Sequence, residues 1–226
     1  MIKDLFNLFF PKVCLACTNL LTDNEKYVCT SCRHDLPVTD YHKDGSDQVK
    51  KLFYGRVKLE SATALLRFQK KGIVQHLLHN LKYKGHQEIG TFFGQWLGDE
   101  LSKTEGFKDI DVVVPVPLHK RKLKKRGYNQ VALFAQEIAQ ALNADYCDKV
   151  LIKINNTASQ VRKSRLARWT SNDEIFSIQH IDSVNHKHIL LVDDIITTGA
   201  TIEACANQLL KAKYIKLSVA SMAIVE

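Results

Sequence analysis

Short apolar runs and amphipathic stretches alternate along most of this chain. Ser61 to Phe68, enriched in Ala, Thr, Leu and Phe, predicts a first strand. Ile73, Leu77, Leu78 and Leu81 then recur at helical spacing. A second helix is predicted from about Glu88 to Leu101. Asp111-Val112-Val113-Val114, ended by Pro115 and Pro117, reads as a buried strand running into a loop. Val131, Phe134, Ala135, Ile138 and Leu142 mark one face of a third helix. Ile189-Leu190-Leu191-Val192 is another apolar run, and Ile202, Cys205, Ala206 and Leu209 line the helix after it. Ile215 to Ile224 closes the pattern as a strand. Strands alternating with helices predict an α/β domain, a mostly parallel sheet with helices on its faces.

The N-terminal part differs. Asp40 to Lys58 is polar, centred on Asp44-Gly45-Ser46-Asp47, and reads as a connection. The expected division is a cysteine-bearing module over residues 1–38, a linker over 39–59 and the α/β domain over 60–226. With 45% hydrophobic and 25% charged residues, the composition is that of an ordinary globular protein. Met1 to Phe10 is apolar but short, contains Asp4, stops at Pro11 and lacks the features of a signal peptide. No stretch approaches the roughly 20 apolar residues of a membrane span. These features predict a soluble, cytoplasmic chain. A net charge of +8 and a pI of about 9.1 fit an anionic partner, or solubility alone.

Four of the six cysteines form two Cys-x2-Cys pairs, Cys14/Cys17 and Cys29/Cys32, eleven residues apart. Two such turns can present four thiolates to one tetrahedral ion, and structural Zn²⁺ is the expected occupant. So small a module buries little core, so metal binding would supply its folding energy. A redox dithiol or buried free thiols are the competing readings. Cys147 and Cys205 read as small buried apolar residues.

The segment Val192-Asp193-Asp194-Ile195-Ile196-Thr197-Thr198-Gly199-Ala200-Thr201 carries the most chemistry. The strand is expected to end at Val192, with a helix starting near Thr201. Free backbone N–H groups and the helix dipole make such a start an anion site. Gly199 lets the backbone approach a phosphate, and three threonines add hydroxyls. Two carboxylates would repel a bare phosphate. They fit a ligand that also carries hydroxyls or a divalent cation, such as a sugar phosphate. An ordinary capped helix is the bland alternative.

This segment resembles the phosphoribosyl pyrophosphate (PRPP) motif of type I phosphoribosyltransferases. Leu81-Lys82-Tyr83-Lys84-Gly85, Val114-Pro115-Val116-Pro117-Leu118 and Arg126-Gly127-Tyr128-Asn129-Gln130 are similar to motifs of the ComF competence family. That family also carries four N-terminal cysteines ahead of such a domain, and the likeness covers nearly the whole chain. It implies a type I phosphoribosyltransferase-like fold with an N-terminal zinc ribbon. It implies that Asp193 and Asp194 hold ribose hydroxyls and that Thr197 to Thr201 cradle the 5′-phosphate of PRPP, with Mg²⁺. It further implies handling of single-stranded DNA in natural transformation, beside a competence helicase or other uptake protein. An active transferase acting on a nucleobase or amine, with Asp193, Asp194 and Arg126 as catalytic residues, is a second reading. A non-enzymatic PRPP sensor is a third. Two departures stand out. Asn172 lies one position later than the family's Asn, with Ser171 in its place, and Lys211-Ala212-Lys213 lacks the usual glycine.

Two basic segments complete the picture. His119 to Arg126 holds six cations in eight residues: Lys120, Arg121, Lys122, Lys124, Lys125 and Arg126. In the phosphoribosyltransferase layout this loop, with Pro117 and Leu118 before it, faces the pyrophosphate. The surplus of cations also suits nucleic-acid phosphates, and a solvated charged loop is the alternative. Arg162, Lys163, Arg165 and Arg168, with Trp169, lie where the flexible active-site loop of such enzymes falls.

Overall fold

The computed structural model describes residues 11–154 and 175–226. The order of elements is α1 (Thr30–His34), α2 (Gln48–Lys51), β1 (Ala62–Arg67), α3 (Ile73–Tyr83) and α4 (Glu88–Ser102). Then come β2 (Val112–Pro115), α5 (Lys120–Arg126), α6 (Ala132–Leu142), β3 (Asp145–Tyr146) and β4 (Leu151–Ile154). The chain ends with β5 (Ile175–Ile178), β6 (His188–Ile196), α7 (Ala200–Leu209) and β7 (Lys216–Ile224). Five strands form one sheet in the order β1-β7-β6-β2-β3, and every pairing in it is parallel. The expected α/β architecture is present.

The strands alternate their side chains between two cores. Val113, Leu190, Val192 and Met222 join α3, α4 and α6 on one face. Val112, Val114, Ile189, Leu191 and Val219 join α7 on the other. Burial on both faces explains why these strands read as continuous apolar runs. Helices α4 and α6 lie close because Gly94 and Gly98 face α6. A Cβ on Gly94 would lie 2.7 Å from Glu137 Cβ and 2.8 Å from the Phe134 carbonyl oxygen.

Three expectations change. Residues 120–126 form a helix, not a loop. The His119 side chain accepts from the Arg121 N–H at 3.1 Å, Lys and Arg favour helix, and Gly127 at φ 85° closes the end. The carboxylates Asp193 and Asp194 lie within β6, which runs four residues beyond Val192 because β7 continues beside it, Asp193 opposite Ser221 and Ile196 opposite Ile224. The segment 39–59 does not run free over the surface: Tyr41, Val49, Phe53, Val57 and Leu59 are buried in it. An antiparallel pair, β4 with β5, packs Leu151 and Phe176 into the core that α7 covers. Arg162, Lys163, Arg165, Arg168, Trp169, Ser171 and Asn172 lie outside the described residues, as does the Met1 to Phe10 stretch. Among the described residues, no helix is long and apolar enough to cross a membrane.

Candidate functional site

The last strand pairing between β2 and β6 is Pro115 with Val192. Beyond it β6 continues alone on that side, so Asp193 and Asp194 stand at the carboxyl end of the sheet. In an open parallel sheet the crevice outside the strand ends is where ligands bind. Both carboxylates are shielded from solvent, at 7% and 4% exposure. A buried charge needs partners. Lys82 Nζ lies 2.8 Å from Asp194 Oδ1, and Gln130 Nε2 donates to Asp194 Oδ2 at 2.7 Å. Asp193 Oδ1 accepts from the Asp194 N–H at 2.8 Å.

Each polar residue of Arg126-Gly127-Tyr128-Asn129-Gln130 fastens a different part of this crevice. Arg126 donates to the Gln130 side chain. The Tyr128 hydroxyl donates to the Leu81 carbonyl at the end of α3. Asn129 Nδ2 donates to the Val116 carbonyl at 3.0 Å, and its Oδ1 accepts from the Val131 N–H at 3.2 Å. Gln130 reaches Asp194. The motif therefore ties α3, the turn after β2 and the end of β6 into one unit. Pro117 and Leu118 lie half-buried in that turn.

A pocket of about 300 Å³ lies on the Lys82 side of Asp194, lined by Lys82, Tyr83, Gly85, Lys122, Lys125, Arg126 and Tyr128. Four of these seven are cations. The Arg126 guanidinium lies 5.6 Å from the Tyr83 ring centroid. The pocket can take an anion of two or more charges.

Past Ile195 and Ile196, the turn Thr197-Thr198-Gly199 leads into α7. Thr197, Thr198 and Ala200 are exposed, and Thr201 is half-buried. Gly199 precedes α7 at φ 78°, and a Cβ there would lie 2.8 Å from Phe53 Cε1. Both conformation and space demand glycine. Arg56 holds the outer side of the turn. It donates to the Thr198 carbonyl at 3.1 Å and pairs with Glu203 at 2.8 Å.

The four N-terminal cysteines also converge. Their sulfurs lie within 4.8 Å of one another, and all are free of disulfides. Cys14 Sγ accepts from the Ala16 and Cys29 N–H groups at 3.4 and 3.3 Å. Burial opposes ionisation of Cys14, but backbone N–H groups outweigh it and bring the thiol down to about 7. A cluster of this geometry can hold a metal ion.

Residues 130–226 match the phosphoribosyl transferase domain. The chain is 27% identical to competence protein ComFC of Bacillus subtilis over 204 residues, 88% of this chain and 78% of that one. The chain resembles ComF competence proteins over most of its length. It is also 30% identical over 138 residues to the DNA utilization protein YhgH of Escherichia coli, a match covering 60% of each chain. With competence protein F of Haemophilus influenzae it shares 27% identity over 113 residues, half of this chain and 49% of the other. The matched part thus spans about three-fifths of the YhgH relatives.

Two residues that hold this region carry no sign of their place in the sequence. Lys82 lies in the Leu81 to Gly85 motif, and its place beside Asp194 depends on where α3 ends. Arg56 lies in the segment read as linker, where nothing local signals a contact with Thr198. Conversely, Lys120, Arg121 and Lys124 do not line the cationic pocket. At helical spacing Lys120 and Lys124 fall on the other side of α5 and Arg121 on its flank.

Proposed function

We propose that this ComF-like chain binds PRPP with Mg²⁺ at the end of β6 and acts on single-stranded DNA during its uptake and use. The observation that carries the reading is the junction of Asp193 and Asp194 with a helix-start turn on one side and a cationic pocket on the other. Such a row matches the charges of PRPP, which has a phosphate, a ribose and a diphosphate in sequence. Thr197 to Thr201 would take the 5′-phosphate on backbone N–H groups and hydroxyls. Asp193 and Asp194 would accept from the ribose hydroxyls. Asp194 can do so while keeping Lys82 and Gln130, because each carboxylate oxygen has two lone pairs. Lys122, Lys125 and Arg126 would face the diphosphate, and Mg²⁺ would neutralise part of its charge. DNA enters the proposal through the relatives, named for competence and DNA utilization, and through the net charge of +8.

The four-cysteine cluster is assigned as a zinc site. Four thiolates fill a tetrahedral shell and leave no open position, so the metal is structural. One zinc per chain by elemental analysis is the expected result.

The functional test has two arms on the zinc-loaded full chain. In the first, PRPP and Mg²⁺ are mixed with nucleobases and amines, and pyrophosphate release is followed. Binding without release is expected, and release with one acceptor would establish a transferase instead. In the second, a labelled single strand is titrated at increasing salt. Affinity should fall steeply with salt, and absence of binding at low ionic strength would remove the DNA role.

A further inference from the structure

Helix α5 carries more cations than its pocket uses. Lys122, Lys125 and Arg126 line the pocket beside Asp194. At helical spacing, Lys120 and Lys124 fall on the opposite side and Arg121 on the flank beside Lys125, and all three are exposed. Three like-charge i,i+4 pairs, Lys120/Lys124, Arg121/Lys125 and Lys122/Arg126, destabilise the helix. Among the described residues, no acidic side chain pairs with any of these cations. A helix charged on both sides and left uncompensated is matched by an extended polyanion, not by one small ligand. Beside it, Tyr83 is 69% exposed at the pocket rim, with Arg126 over its ring. An exposed ring flanked by cations offers a base a stacking surface.

We propose that α5 and Tyr83 form a binding surface for single-stranded nucleic acid, and that its inner cations are shared with the PRPP pocket, so that the two ligands exclude each other. The shared-pocket part rests on the PRPP assignment made above. Phosphates follow the outer cations Lys120, Arg121 and Lys124 and cross to Lys125 and Arg126, while an unpaired base stacks on Tyr83. A single strand fits and a duplex does not, because stacking on one ring needs a base face free of its neighbour. Lys82 compensates Asp194 and so reduces the repulsion of either ligand. PRPP seated in the pocket would occupy Lys125 and Arg126 and present its own negative charge to the strand.

The test is fluorescence anisotropy of a labelled oligothymidylate on the full zinc-loaded chain, at constant ionic strength. Saturating PRPP with Mg²⁺ is expected to weaken oligonucleotide binding by roughly tenfold, as loss of two or three phosphate contacts would. The variant Lys120→Gln/Arg121→Gln/Lys124→Gln is expected to weaken the oligonucleotide by a similar factor. It should reduce the salt slope by about 2 and leave calorimetric PRPP affinity unchanged. Tyr83→Ala should weaken single-strand binding by roughly fivefold or more and leave any duplex binding as it was. Independent binding of the two ligands, normal binding by the triple variant, or equal affinity for duplex would each overturn the proposal. Pyrophosphate as a second competitor separates the two readings. If PRPP gives no binding while pyrophosphate displaces the oligonucleotide, the PRPP assignment falls and the shared surface stands.

Discussion

Asp194 is the residue on which most of the crevice turns. Both its oxygens are engaged, by Lys82 and Gln130, and Gln130 is held by Arg126. Removing Lys82 leaves a shielded carboxylate without its cation. Lys82→Ala should therefore cost about 1–3 kcal/mol of stability, a fall of several degrees in Tm, and at least tenfold in PRPP affinity. Melting and calorimetry on the same preparation check both. Two buried histidines give a pH prediction. Burial lowers the pKa of His42 despite Glu100 at 2.9 Å, and burial followed by Lys216 lowers that of His188. The folded chain then binds fewer protons than the unfolded chain below the ordinary histidine pKa of about 6.5. Their stability contribution is complete above that pH and is lost as pH falls through the depressed values. Denaturant midpoints at pH 7.5 and 5.0 should show this loss, and His188→Gln should show less of it.

Among elements, the strands and long helices were legible because their burial imposes a pattern, continuous in the strands and periodic in the helices. Val112 to Val114 and Ile189 to Val192 are buried on both faces and read as such. α3, α4 and α6 present apolar stripes at helical spacing. α5 was not legible, since Leu123 alone among six cations leaves no period to read. The extension of β6 through Asp193 and Asp194 was hidden too, because it depends on pairing with β7 and not on local hydrophobicity. The same holds for the two-residue strand β3 and for the approach of α4 to α6. That approach yields a sharp test. In isolation Gly94→Ala favours helix, yet here the added Cβ meets Glu137 Cβ and the Phe134 carbonyl. The variant should lose about 1–3 kcal/mol, read as a lower denaturant midpoint. A gain in stability would show that α4 and α6 do not lie this close.

At the scale of the whole molecule, the cysteine module is part of the main core. Cys14, Ala16, Val28, Cys32 and Leu36 share one apolar cluster with α3, α4 and α6. His76 and Asn80 of α3 hold the Ala16 and Leu15 carbonyls at 2.7 and 2.9 Å. Spacing of the cysteines revealed four thiols that could hold one metal ion, but not that their knuckles are seated on α3. Metal removal should therefore be felt beyond the module. A strong chelator, or Cys29→Ser, is expected to lower the single calorimetric melting transition of the chain. Two separate transitions, one insensitive to chelator, would show that the module folds on its own. The site motifs were legible for a related reason: Arg126 to Gln130 and Asp193 to Thr201 are contiguous, so their joint chemistry is visible in sequence. Lys82 and Arg56 reach the same crevice only through the fold. PRPP binding in this crevice is open to direct measurement. Its most direct test is calorimetric titration of PRPP with Mg²⁺ into the wild type and into Asp193→Ala/Asp194→Ala, with circular dichroism on both. One-site binding in the wild type, its loss in the variant and unchanged spectra are predicted; equal affinity in the two would contradict the account.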